Sequence, residues 1–174
     1  MSIQDLMEIY KYGENVLKQK GHLVENIDQE IIDLIKKMKT TMYGTPNAIG
    51  LAAPQIGESL MLSVIDVSRG NEEDGFTILL NPFIEEKEGY ETDTEGCLSF
   101  PNISLDIRRS TKIFLRGIDI NGKDYKKEFS GFMARVIQHE IDHLNGILIA
   151  DRVSPLKRQL MKKEIKKLKK NGAW

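Results

Sequence analysis

Apolar residues recur at spacings of three and four in two parts of the chain and alternate with polar ones in several others. After Asp28, a good N-cap, Ile31, Leu34, Ile35, Met38 and Met42 fall on one helical face, and Gly44-Thr45-Pro46 stops the run. A second helix is expected over Gly131–Leu144, where Phe132, Val136, His139 and His143 follow i, i+4, i+7, i+11. Ser130 can cap its start, and Asn145-Gly146 can end it in the left-handed conformation. Between the two helices, strands are expected over Leu60–Val67, Thr77–Leu80, Phe83–Glu91, Lys112–Ile120 and Lys123–Phe129. Asn81-Pro82 separates the second from the third, and Asn121-Gly122 makes the last pair a hairpin. The segment Ile3–Tyr12, followed by Gly13, is weakly patterned and expected to lie against the core. A third helix, basic, is expected over 155–171, with Leu156, Leu160, Met161, Ile165 and Leu168 as its apolar stripe. The order predicts an α+β fold: antiparallel sheets packed around a central helix, with an N-terminal helix and a C-terminal basic helix.

Composition narrows this to one soluble domain spanning 1–174. Hydrophobic residues make up 40% and charged residues 29%, and a chain of this size buries roughly 70% of its unfolded surface. No apolar run is long enough to span a bilayer, so no membrane partner is expected. The N-terminus lacks the basic-then-apolar layout of a signal peptide. Cys97 is the only cysteine, which excludes an internal disulfide and fits a reducing, cytoplasmic location. Charge is uneven along the chain. Arg152–Trp174 carries nine basic residues against Glu164 alone, a net +8, which leaves −9 for the rest of a chain whose total is −1. Such a tail is either a solvated helix face or a contact for an anionic partner such as RNA; no DNA partner is expected.

The candidate chemistry lies on the second helix. Gln138-His139-Glu140-Ile141-Asp142-His143 contains His-Glu-x-x-His, and positions four apart share a helical face. His139 and His143 can therefore point at one ion, with Glu140 reaching a water bound to it. A catalytic metal takes three protein ligands and keeps a position open. Cys97, in the Gly- and Pro-flanked loop Glu95–Pro101, is the natural third. Asn47–Gly57 is rich in small residues and reads either as a tight loop or as a strand-like segment alongside an extended ligand. In that segment Gly50 allows backbone angles that other residues avoid. The amide of Gln55, the Leu98 backbone N–H and the metal itself would serve a developing oxyanion.

Three segments, Ala48-Ile-Gly-Leu-Ala-Ala-Pro-Gln55, Glu95-Gly-Cys-Leu-Ser99 and Gln138-His-Glu-Ile-Asp-His143, resemble the three signature motifs of the peptide deformylases, in the same order. The resemblance covers nearly the whole chain. It implies removal of the formyl group from N-formylmethionine at the start of nascent polypeptides, releasing formate. It also implies one divalent metal held by Cys97, His139 and His143, with Glu140 as general acid/base and Gly50, Gln55 and Leu98 around the formyl oxygen. The ion implied is ferrous iron (Fe2+), with Zn2+, Ni2+ or Co2+ able to substitute. One place departs from the motif: the usual Gly is Ala48 here, whose methyl group is tolerable if the backbone angles are ordinary. Beyond the motifs, Ile49, Phe132 and Val136 are expected to line the pocket for the methionine side chain. Glu95, Arg109 and Asp142 are expected to orient a ligating histidine. The family further suggests ribosome docking through the basic helix.

Two rivals remain on sequence grounds. His-Glu-x-x-His is shared with metal-dependent peptidases. A structural metal in a binding protein would need a fourth side-chain ligand, which only His22 or a carboxylate could supply.

Overall fold

The computed structural model describes residues 6–72 and 75–174. Helix α1, Gln29–Gly44, starts at Asp28, whose carboxylate accepts from the Ile31 N–H at 3.1 Å. Five strands form an antiparallel sheet in the order β1 (Gly50–Ala52), β2 (Leu62–Ile65), β3 (Thr77–Glu88), β6 (Lys112–Ile118), β7 (Asp124–Ser130). A separate hairpin pairs β4 (Glu91–Gly96) with β5 (Ser104–Arg109). Helix α2, Gly131–Leu144, packs against β1, β2, β6 and β7, and α3 covers Pro155–Lys170.

Around β1, β2 and the start of β3 the large sheet is covered by a helix on each side, while the far half of β3 and most of β7 are exposed. Ile35, Met38 and Met42 of α1 meet Leu51, Leu62, Val64 and Leu80 on one side. Ala134, Val136, Ile137 and Ile141 of α2 meet Ile65, Leu79, Ile113 and Leu115 on the other. Period-two alternation along β2 therefore sends Leu62 and Val64 toward α1, and Ser63 and Ile65 toward α2. A third cluster joins α3 to the hairpin: Met161 and Ile165 pack with Leu17, Phe100, Ile103, Ile107, Leu148 and Ile149. No helix among the described residues is long and apolar enough to cross a membrane.

Architecture and element order match the α+β expectation, but local details differ. Thr77–Leu80 and most of Phe83–Glu91 form one strand, Thr77–Glu88, not two, and Glu91 opens β4. The register shifts between Leu80 and Phe83, so Asn81-Pro82 forms a bulge, where a missing N–H costs no ladder bond. Asn81, at φ +50°, bonds the Val24 N–H and C=O through its side chain. β2 is shorter than Leu60–Val67 because Asp66 begins a turn, its carboxylate accepting from the Ser68 and Gly70 N–H groups. Strands β4 and β5 had no sequence counterpart, and Glu95 and Gly96, expected in a loop, close β4. Ser130 gives α2 no side-chain cap; Gly131, at φ +57°, makes the corner, and its N–H bonds the Thr111 C=O. Of Ile3–Tyr12, residues 3–5 lie outside the described residues, while Met7 packs against the α1 core.

The third cluster makes α3 part of the fold rather than an appendage. Met161→Ala should lower the unfolding free energy by about 2–4 kcal/mol in urea titration. Leu160→Ala, at an exposed position of the same helix, should change it by less than about 0.5 kcal/mol.

Candidate functional site

The hairpin and the central helix bring three metal-type donors together. Cys97 follows the last residue of β4, and His139 and His143 lie one turn apart on α2. His143 Nε2 is 3.2 Å from Cys97 Sγ and 3.2 Å from His139 Nε2, and the three ligand atoms all lie within 4.8 Å of one another. Donors bound tetrahedrally to one ion at ordinary bond lengths stand about 3.3–3.7 Å apart. The donor set therefore fits a single divalent cation. His22 is not part of this cluster. The neighbouring groups fit a cation as well. Burial opposes a charge on His139, but hydrogen bonds to Cys97 and Glu95 raise its pKa well above the ordinary value; surroundings that favour a proton there favour a metal in its place. Burial holds His143 well below its ordinary value, which keeps the imidazole neutral and able to ligate. Its Nδ1 has no partner among the described residues, so no neighbour fixes its tautomer.

Behind the donors lies a buried charge network. Glu95, on β4 opposite Leu105, turns its carboxylate inward. Oε1 accepts from Arg109 Nε at 2.9 Å and Arg135 Nη1 at 2.8 Å. Oε2 accepts from Arg109 Nη2 at 2.9 Å and lies 3.0 Å from His139 Nδ1. Burial pushes this carboxyl up, yet the hydrogen bonds from Arg109 and His139 outweigh it and hold the pKa down at about 2. Arg109 also reaches Asp142, which is bonded in turn by Arg152. Sequence reasoning named Glu95, Arg109 and Asp142 but missed the two further arginines, Arg135 and Arg152. The one available signal for Arg135 was its place four residues before His139, on the same helical face.

Glu140, beside the donors, is also buried, at 3% exposure. Burial pushes its carboxyl up to about 7, against the opposing pull of His139 and a hydrogen bond from Ser63 Oγ at 3.1 Å. It occupies the space left by Gly50: a Cβ there would stand 2.3 Å from Glu140 Oε1. The backbone-angle reading of Gly50 is corrected here, since Gly50 is not among the positive-φ residues. Its lack of a side chain, not its flexibility, is what the site uses. Ala48 likewise has no left-handed backbone, and its methyl group is buried in the α1 core. Gln55 is pinned through Oε1, which accepts from the Ala52 N–H at 2.9 Å. Its Nε2 donates to Ser99 Oγ at 3.2 Å and lies 3.7 Å from Cys97 Sγ. No acceptor for the Leu98 backbone N–H is present among the described residues.

A cavity of about 690 Å³ opens onto Cys97, His139 and Glu140, with Ile49, Gly50, Gln55, Leu98, Phe132 and Val136 in its walls. Phe132 is 58% exposed at this wall, whereas Val136 is buried.

Fold and site together define a metal-dependent hydrolase with a Cys-His-His centre. The sequence matches the family model described as Polypeptide deformylase over residues 6–159. The peptide deformylase of Thermodesulfovibrio yellowstonii is 43% identical over 161 residues, covering 92% of this chain and 97% of that protein. Among solved structures, the Legionella pneumophila peptide deformylase superposes with a TM-score of 0.89 at 37% identity, covering 97% of this chain and 98% of that one. The Thermotoga maritima enzyme gives 0.80 at 40% identity, covering 86% and 99%. The chain belongs to the polypeptide deformylase family.

The crowding at Gly50 is open to test. Gly50→Ala should displace the Glu140 carboxylate and lower kcat about 100-fold, the scale of an ångström's misplacement in an active site, with far-UV circular dichroism unchanged. An undiminished kcat would show that the carboxylate does not need this space.

Proposed function

We infer that the chain hydrolyses the formamide of N-formylmethionyl peptides, releasing formate and the free amine, and that Glu140 is its general acid/base. The observation that carries the reading is the convergence of Cys97, His139 and His143 beside a Glu140 carboxylate held in the gap over Gly50. When bound, a divalent cation at these donors supplies Lewis acidity toward a water and the formyl oxygen. Glu140 Oε1 takes the proton of the attacking water and delivers it to the departing amine nitrogen. Ser63 Oγ, bonded to Oε2, leaves Oε1 for that transfer. Gln55 Nε2 and the Leu98 N–H donate to the formyl oxygen as it becomes anionic. Glu95 accepts at His139 Nδ1 and fixes the face that imidazole presents, with Arg109 and Asp142 behind it. The methionine side chain lies along Ile49, Phe132 and Val136, where a flexible thioether suits an apolar wall.

One ion per chain is proposed, Fe2+ physiologically, with Zn2+, Ni2+ or Co2+ able to replace it. A thiolate ligand beside ferrous iron is open to oxidation. Protein loaded anaerobically should release formate from a formyl-Met peptide, lose that activity to a chelator, and lose it faster in air with iron than with nickel or cobalt. Glu140→Gln should lower kcat by about 10²- to 10⁴-fold. Absence of formate release with every metal would reject the reading.

The exposed lysines of α3 are proposed to dock on ribosomal RNA near emerging chains. Removing α3 would strip Met161 and Ile165 from the core, so charge reversal is the cleaner probe. Lys162→Glu, Lys163→Glu and Lys166→Glu together should weaken salt-sensitive ribosome binding at least tenfold and leave turnover of a short formyl peptide unchanged. Unaltered binding would reject the docking.

A further inference from the structure

Arg135 has no part in the reaction as described, yet it is a buried cation at 6% exposure in the wall of the substrate cavity. It lies one helical turn before His139, so both project from the same face of α2. Three of its five N–H donors engage the hairpin: Nη1 donates to Glu95 Oε1 at 2.8 Å and to the Ile107 C=O at 2.9 Å, and Nη2 donates to the Glu91 C=O at 3.0 Å. Arg135 also borders a recess of about 130 Å³ lined by Glu91, Asp93 and Ser110, and with Phe132 it is shared between the linings of that recess and the main cavity. A buried arginine is stable only when its charge and donors are matched, and here the matching carboxylate is the one that bonds His139.

Glu95 is thus gripped from two sides. Arg109 reaches both of its oxygens from β5, and Arg135 holds Oε1 from α2. Arg109 alone ties the carboxylate only to its own hairpin. The second guanidinium, anchored by two backbone carbonyls, ties it to α2 as well and sets where Oε2 stands relative to Nδ1 of the ligand imidazole. We propose that Arg135 is a positioning residue for the metal centre: it locks Glu95, Glu95 locks His139, and the wall of the substrate slot is thereby tied to the orientation of a metal ligand. Only the kinetic arm of the test rests on the deformylase reading.

The test is a double-mutant cycle on metal retention. Cobalt-loaded wild type, Arg135→Met, Glu95→Gln and the double variant are challenged with a chelator, and cobalt loss is followed by its absorption. Arg135→Met should lose metal at least tenfold faster, the low end of what removing an outer partner of a ligand does. The double variant should lose it no faster than Glu95→Gln alone, because the two residues act as one unit. On a short formyl-Met peptide, Arg135→Met should lower kcat about tenfold or more and move KM less than threefold. A residue that only shapes the slot would raise KM and leave metal loss untouched. Unchanged metal loss in Arg135→Met, or additive effects in the cycle, would overturn the proposal. If Arg135→Met does not fold, Arg135→Lys, which keeps the charge without the fork, enters the same cycle with the same two outcomes. Failure of wild type to release formate would sink the functional reading while the retention cycle still decides the role of Arg135.

Discussion

A carboxylate buried between two guanidiniums and an imidazole binds the molecule together at its working end. Glu95 comes from the β4–β5 hairpin, Arg109 from the other strand of that hairpin, and Arg135 and His139 from α2. Taking these charges out of water is costly, and removing one partner of such a group costs about 3–5 kcal/mol because the others are left uncompensated. These pairs therefore favour the register of hairpin on helix that keeps them all. Cys97 follows Glu95 by two residues, so that register also sets where the thiol meets the imidazoles. With its pKa held at about 2, Glu95 stays ionised throughout the range in which an enzyme works.

Two carboxylates near His139 are thereby given opposite characters. Glu95 has hydrogen-bond donors on both oxygens and keeps its charge. Glu140 has one hydroxyl partner, Ser63, and burial raises it toward neutrality. A group poised near neutral pH can both take and return a proton, whereas one held far below it can only orient a neighbour. A positive ion at the three donors would favour the charged form of Glu140, the form that can take a proton. The difference arises from placement: one acid faces arginines, the other faces a glycine and a serine across the sheet.

Much of this was legible in the chain. His-Glu-x-x-His at helical spacing put His139, Glu140 and His143 on one face because the α-helix repeats every 3.6 residues. The apolar spacing of Ile35, Met38 and Met42 marked α1, and the Gly-Cys-Leu turn marked a ligand loop. Such features are local, and local geometry follows from local sequence. Errors came where a partner far along the chain decides. Asn81-Pro82 reads as a break, but β6 accommodates it as a bulge. Ser104–Arg109 shows only a faint alternation and becomes a strand because β4 pairs with it along its full length.

The glycine at position 50 shows the division most clearly. Sequence marked it by its backbone freedom, which the fold does not use, and marked Cys97, His139 and His143 as candidate ligands. It could not say that a side-chain atom added there would strike Glu140, 90 residues later, or that Arg135 would turn from a helix face into the hairpin and share Glu95 with Arg109. Spacing along a helix is written in consecutive residues. The meeting of β1, β4, β5 and α2 depends on how their buried faces pack, and no short stretch of the chain contains that.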